Sequence, residues 1–196
     1  MAIVNITQEM RNRAYDFSEK IIMQNNQFDR MRPANVNDRN EINIIRINRT
    51  YVGKLAELCF YEYLIANNII VNIDDMFTIF EGQENVDDFD FCLPNDKKID
   101  IKAAVFNNHR NLVVPIDQFK NTPKDYYVGI KFECPINSND YRLINRDTFT
   151  RAIIRGFCTH DELKKRRTIN LGEFDCKAIP LDNLNNIRRL ITMFNE

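Results

Sequence analysis

The chain has 196 residues, enough for one ordinary domain with a sizeable core. Its 44% hydrophobic content, with 14 Phe and 7 Tyr against 28% charged residues, fits a globular protein and excludes a disordered one. Lys and Arg total 27 against 28 Asp and Glu; the net charge of −1 gives no global attraction to nucleic acid or anionic lipid, so any basic surface must be local.

Cys59, Cys92, Cys134, Cys158 and Cys176 lie far apart with no CxxC pair, the pattern of reduced core thiols rather than of a zinc site or redox pair. The first residues carry no basic flank followed by a long apolar run, and no stretch approaches membrane-spanning length. The expectation is a cytoplasmic protein without export or membrane contact.

In chain order, residues 7–26 place Met10, Ala14, Phe17 and Ile21 on one helical stripe that Thr7 can cap. "FDRMRPANVNDRNEIN" reads as a loop of about a dozen residues, from its proline and its Asn and Asp content. From Thr50 to Asn67, Val52, Leu55, Ala56, Cys59, Phe60, Tyr63 and Leu64 recur at helical spacing, with Glu57 beside the stripe. "IIVNI", "MFTIF", "FDFCL" and "KIDIKAAV" then read as strands, the last two joined by the hairpin loop "LPNDKK". "NLVVP" suggests a further strand, "IDQFK" a short helix and "DYYVGIKFE" a strand, so the order from residue 51 is αβββαβ. "DTFTRAIIRGF" is compatible with a helix capped by Asp147 and stopped by Gly156, or with a strand. Thr159 and Glu162 have capping-box spacing for a short helix in "THDELKKRR". Leu184, Ile187, Ile191 and Phe194 share one face of a closing helix.

Strand alternation puts Asp100 and Lys102 on one side of "KIDIKAAV" and Ile99, Ile101 and Ala103 on the other. The hairpin returns Asp90 to the same neighbourhood. Facing carboxylates in a poorly hydrated cleft are tolerated when a metal or a Lys or Arg balances them. Hard oxygen donors of this kind suit Mg²⁺, which bridges to substrate phosphates.

The helix "GKLAELCFYEYL", then "FDFCL" and "IDIKAA", in αβββαβ order, resembles the PD-(D/E)XK nuclease superfamily, the fold shared by many restriction endonucleases and several repair and recombination nucleases. The resemblance spans roughly residues 50–133, with 1–49 and 134–196 as additions to a single domain. It implies an α/β fold, with a restriction-endonuclease-like αβββαβ core and a mixed central β-sheet flanked by helices. In that family an acidic residue opens the second strand, an Asp/Glu-x-Lys triplet lies on the third, and a preceding helix often adds a glutamate. The resemblance therefore assigns catalysis to Asp90, Asp100, Lys102 and Glu57, and Mg²⁺ ligation, with Mn²⁺ as substitute, to Glu57, Asp90, Asp100 and the carbonyl of Ile101. Phe89 stands where the family has a proline, which leaves Asp88 as a rival to Asp90; "FDF" favours Asp90, with Phe89 and Phe91 facing the core. Gln118 is a further candidate for positioning the site.

The implied activity is metal-dependent hydrolysis of DNA phosphodiester bonds. A compact chain of near-neutral charge best suits a type II restriction endonuclease, and two centres for a double-strand cut imply a homodimer. A structure-directed or phage-type repair nuclease, and a catalytically silent nucleic-acid-binding module of the same fold, are the alternatives. Lys164, Lys165, Arg166 and Arg167 form a basic run suited to phosphates and equally to a solvated helix end. The arginine- and asparagine-rich segment 29–49, with Arg46 and Arg49, and Lys54 beyond it, is a candidate DNA-binding element or a polar surface loop. His109 and His160 read as surface histidines rather than general bases.

Overall fold

A tight hairpin organises the middle of the chain. In the computed structural model, which describes residues 1–23, 36–79 and 89–195, Leu93 N–H donates to Lys97 O at 2.9 Å, and Asp96 turns the chain with φ 61°. Aspartate tolerates that left-handed conformation better than most residues. The hairpin joins β2 (Phe91–Cys92) to β3 (Lys98–Ala104).

Around it a mixed five-stranded sheet runs in the order β1 (Ala2–Asn5), β6 (Arg151–Thr159), β5 (Tyr126–Phe132), β3, β2. Only the β3–β5 pair is parallel; the chain between them forms β4 (Asn111–Pro115) and the short helix α3 (Ile116–Asn121). Strand β4 belongs to a second, antiparallel sheet of order β4, β8 (Asp175–Pro180), β7 (Thr168–Asn170).

Two apolar clusters hold these layers, and the alternation of β3 and β5 divides residues between them. Ile99, Ile101, Val128 and Ile130 pack with Leu55, Cys59 and Phe60 of the long helix α2 (Arg39–Ala66), against which α1 (Gln8–Met23) also lies. On the opposite face Ala104 and Tyr127 meet Leu112, Val114, Phe119 and Leu163, the last from α4 (His160–Lys164). Strand β5 is thus covered on both sides, as the near-continuous apolar run of a central strand requires. Helix α5 (Ile187–Met193) adds Ile187, Leu190 and Ile191 to the larger cluster.

Several expected elements differ. Helix α2 begins at Arg39, not at Thr50. Asp38 accepts hydrogen bonds from the N–H groups of Asn40 and Glu41, both at 2.9 Å, so an Asp read as loop chemistry is an N-cap. Asn48, also read as loop, is buried in the helix, its amide donating to the carbonyls of Tyr141 and Ile144 at 2.8 and 2.9 Å. "IIVNI" forms no strand, and a 3₁₀ turn at Asp74–Phe77 takes up Met76 and Phe77 of "MFTIF". Ile69 is buried while Ile70 is 93% exposed, an alternation with no partner strand among the described residues. Phe80, Asp88, the expected helix end at residues 24–26 and Arg30 and Arg32 lie outside the described residues.

The ambiguous "DTFTRAIIRGF" resolves as strand. Asp147 is tied in a turn through Asn145, and β6 pairs with β1 on one side and β5 on the other. Leu184 precedes α5 rather than sharing its face. The capping box is present, with Thr159 accepting from Glu162 N–H at 3.1 Å and the Glu162 carboxylate accepting from Thr159 N–H at 2.8 Å. Read from α2 to β5, the elements run α2, β2, β3, β4, α3, β5, but β4 belongs to the second sheet, so among the described residues only β2, β3 and β5 of this stretch share the central sheet.

Candidate active site

The hairpin, α2 and α3 bring five ionisable groups and one amide to the open edge of the sheet: Asp90, Asp100 and Lys102 from the hairpin, Gln118 from α3, and Glu57 and Lys54 from α2. Asp100 and Lys102 follow the period of two along β3 and point to the α3 side, where Lys102 Nζ lies 2.5 Å from Asp100 Oδ2. Gln118 of α3 bridges them: its Oε1 accepts from Lys102 Nζ at 2.8 Å, and its Nε2 donates to Asp100 Oδ2 at 3.3 Å. Asp100 is only 7% exposed, so its charge is stabilised by these partners rather than by water. Ala103, on the Ile99–Ile101 side of the strand, is exposed.

Asp90 sits one residue before β2 and closes the sheet edge with both its backbone and its side chain. Its N–H donates to Ile99 O at 3.0 Å, and its Oδ2 accepts the Ile101 N–H at 2.6 Å. The N–H and C=O of one strand residue point to the same neighbouring strand. The Ile101 carbonyl therefore faces the Asp90 side, beyond the end of β2. Phe91 is buried against Phe60 of α2, and Phe89 is half-buried, under the Lys98 ammonium at 5.2 Å.

Glu57 comes from the most enclosed stretch of α2, where Leu55 to Phe60 are all buried. It is 9% exposed, not a solvated flank, and Lys54 one turn earlier donates to its Oε2 at 2.6 Å. Lys54 thus belongs to the acidic cluster.

The electrostatics single out Asp90. It has no ion-pair partner among the described residues, and burial first, then the nearby Glu57 and Asp100 charges, hold its pKa well above the ordinary carboxylate range. The Ile101 N–H and Lys102 oppose that shift. Asp90 thus lies within electrostatic reach of two carboxylates that each have their own lysine, Glu57 with Lys54 and Asp100 with Lys102. Among the described residues, no three His, Cys, Asp or Glu side chains converge closely enough to hold a metal ion as they stand. The donors are nevertheless all hard oxygens, the kind that suit Mg²⁺.

Tyr127, not singled out by sequence reasoning, stands cross-strand from Asp100, and Gly129 from Lys102. The alternation of β5 carried that signal, since the residue opposite the lysine has no side chain. Burial raises the Tyr127 pKa, and its hydroxyl accepts the Lys124 N–H at 3.1 Å. The histidines stand apart and half-buried rather than on the surface. His160 stacks on Phe119 at 4.2 Å, and His109 accepts the Val105 N–H at 3.4 Å, its pKa lowered by burial and by Lys131.

Of the candidate DNA contacts, Lys164 to Arg167 are exposed on and just after α4. Arg49 is engaged by Glu173 at 3.0 Å and lies over the Tyr141 ring, and Arg46 is half-buried on α2. No helix of the described residues is long and apolar enough to cross a membrane. No protein-family model matches the chain, and comparison with curated proteins and with solved structures gives no match.

Proposed function

We propose that the chain is a Mg²⁺-dependent endodeoxyribonuclease of the PD-(D/E)XK type, most specifically a type II restriction endonuclease acting as a homodimer. The observation that carries this reading is the Asp100–Lys102 pair on one strand face, bridged by Gln118, with Asp90 within electrostatic reach of both Asp100 and Glu57. The parallel β3–β5 pair, joined through a crossover that carries α3, supports it.

Glu57, Asp90, Asp100 and the Ile101 carbonyl would hold Mg²⁺, or Mn²⁺ in its place. Bound there, the ion would offset charge growing on the phosphate and acidify an attacking water. An ammonium has three donors, and Lys102 gives two of them to Asp100 and Gln118. The third N–H remains to hold the attacking water or a non-bridging phosphate oxygen. Asp100 and Gln118 thereby fix where Lys102 Nζ can sit, which is the positioning that phosphoryl transfer demands. Lys164 to Arg167 supply local positive charge that the near-neutral chain lacks overall.

Supercoiled plasmid and linear phage DNA incubated with the protein in Mg²⁺, Mn²⁺ or EDTA test this function. Discrete metal-dependent fragments are expected of a restriction enzyme, and a preference for branches or ends of a structure-directed one. The closeness of the Asp100–Lys102 contact favours a second reading, a silent DNA-binding module in which the pair satisfies itself. Unchanged DNA with retained binding would establish that reading instead.

A further inference from the structure

We propose that an open cleft beside the turn after β3 reads base edges in the DNA major groove, with adenine as the base its side chains suit; this rests on the nuclease reading above. The cleft, of about 370 Å³, is lined by Asn107, Asn108, Asn137 and Asn139. All four side chains are exposed, and none of their amides is hydrogen-bonded within the described residues.

Both walls are held from behind. Lys131 Nζ donates to the carbonyls of Phe106, Val105 and His109, the last two at 3.4 and 3.2 Å, and so pins the turn that carries Asn107 and Asn108. Opposite, Asp140 accepts from the Arg142 N–H at 2.9 Å and from its guanidinium, fixing the end of the segment that carries Asn137 and Asn139. Tyr141 links the walls, its ring edge-on to Phe106 at 5.0 Å and its carbonyl accepting from Asn48 at 2.8 Å. The walls fix where the four Asn backbones stand, while their exposed amides remain open to a ligand that offers both a donor and an acceptor.

The chemistry selects the ligand. Phosphate offers acceptors only, so a neutral amide spends half its capacity there and releases no counterion. Adenine presents a donor beside an acceptor in the major groove, N6–H₂ and N7, and an Asn side chain matches both at once. Asn107 follows Lys102 by five residues, at most about 18 Å of chain. At about 3.4 Å per base pair, the cleft meets bases within roughly five pairs of the phosphate at Lys102.

The test is selection from a random duplex library, on the Asp100→Asn background so that bound DNA stays intact, with and without Asn107→Ala/Asn108→Ala and Asn137→Ala/Asn139→Ala. The expected result is an enriched motif containing adenine. Its replacement by guanine weakens binding about 5- to 150-fold, and that penalty shrinks in at least one double variant while the salt dependence and Tm stay unchanged. A motif without adenine, or one identical in both double variants, overturns the proposal. Adenine selection by a protein that cuts no DNA would sink the nuclease reading and leave the cleft; sequence-indifferent cutting would do the reverse.

Discussion

The Asp90 carboxylate accepts the Ile101 N–H at 2.6 Å where β2 has already ended, so a side chain takes the place of the missing strand. The same contact holds Asp90 beside Asp100, one residue away on β3, at the point where the sheet edge opens. A structural hydrogen bond and a chemical site are thus the same atoms.

Replacing Asp90 by Asn is expected to stabilise the metal-free protein. Its pKa is raised, so between its ordinary value of 3.8 and the folded-state value the folded chain binds more protons than the unfolded one. This residue's contribution is therefore greatest at low pH and is lost as pH rises through the folded-state pKa. Asn keeps the acceptor for Ile101 and removes the charge. Thermal unfolding across pH 4–8 should give a flatter profile and, at neutral pH, a Tm higher by about 2–4 °C for each kcal/mol gained. Mg²⁺ added at about 100 Kd should stabilise the wild type by about 2.7 kcal/mol and the variant not at all.

Lys102→Ala leaves Asp100 buried with only the weak Gln118 contact, which should cost roughly 1–3 kcal/mol in urea unfolding. Asp100→Asn is milder, since an amide still meets Lys102 and Gln118. Combined, the two should cost less than their sum, the coupling expected of neighbours. Gln118→Ala should barely change stability yet slow cleavage on the order of 10²-fold, because Lys102 loses its second anchor.

Alanine at Lys164, Lys165, Arg166 and Arg167 should weaken binding to all duplexes alike. The slope of log K against log salt should fall by about 0.9 for each phosphate that is no longer neutralised. An unchanged slope would mean a solvated helix end. Arg49→Ala should leave the slope alone, because Glu173 already engages that guanidinium.

Two glycines should respond oppositely to alanine. Gly156 has φ 147°, and a Cβ there would lie 2.2 Å from Asn185 O, so Gly156→Ala should cost on the order of 2–4 kcal/mol through strain and overpacking. Gly53, inside α2 with nothing within 4 Å of its Cβ position, should gain about 0.5–1 kcal/mol on the same change. Thermal melts of both variants check this.

The site's elements were legible because each carries a local signature. Period-two alternation put Asp100 and Lys102 on one face, and the turn residues of "LPNDKK" returned Asp90 to it. Gln118 was readable only as a candidate, because its two bonds depend on how α3 crosses the sheet. The start of α2 was missed because Asp38 and Asn48 are turn residues by composition and become a cap and a buried donor only through the helix and its packing. The strand read into "IIVNI" failed for the converse reason, since a short apolar run becomes a strand only where a neighbour offers its edge. Strands β1 and β8 depend on partners far off in the chain, Ile154 for Ala2 and Pro115 for Cys176, which no local pattern reveals.

The central claim is that the carboxylates beside Lys102 hold a divalent cation, and a crystal soaked in Mn²⁺ tests it most directly through the metal's anomalous scattering. The expected result is a peak within ligand distance of Asp90 and Asp100, absent from a crystal of the Asp90→Asn variant. A wild-type crystal with no peak there, with the Asp100–Lys102 pair undisturbed, would contradict it and leave the charged strand a self-satisfied ion pair.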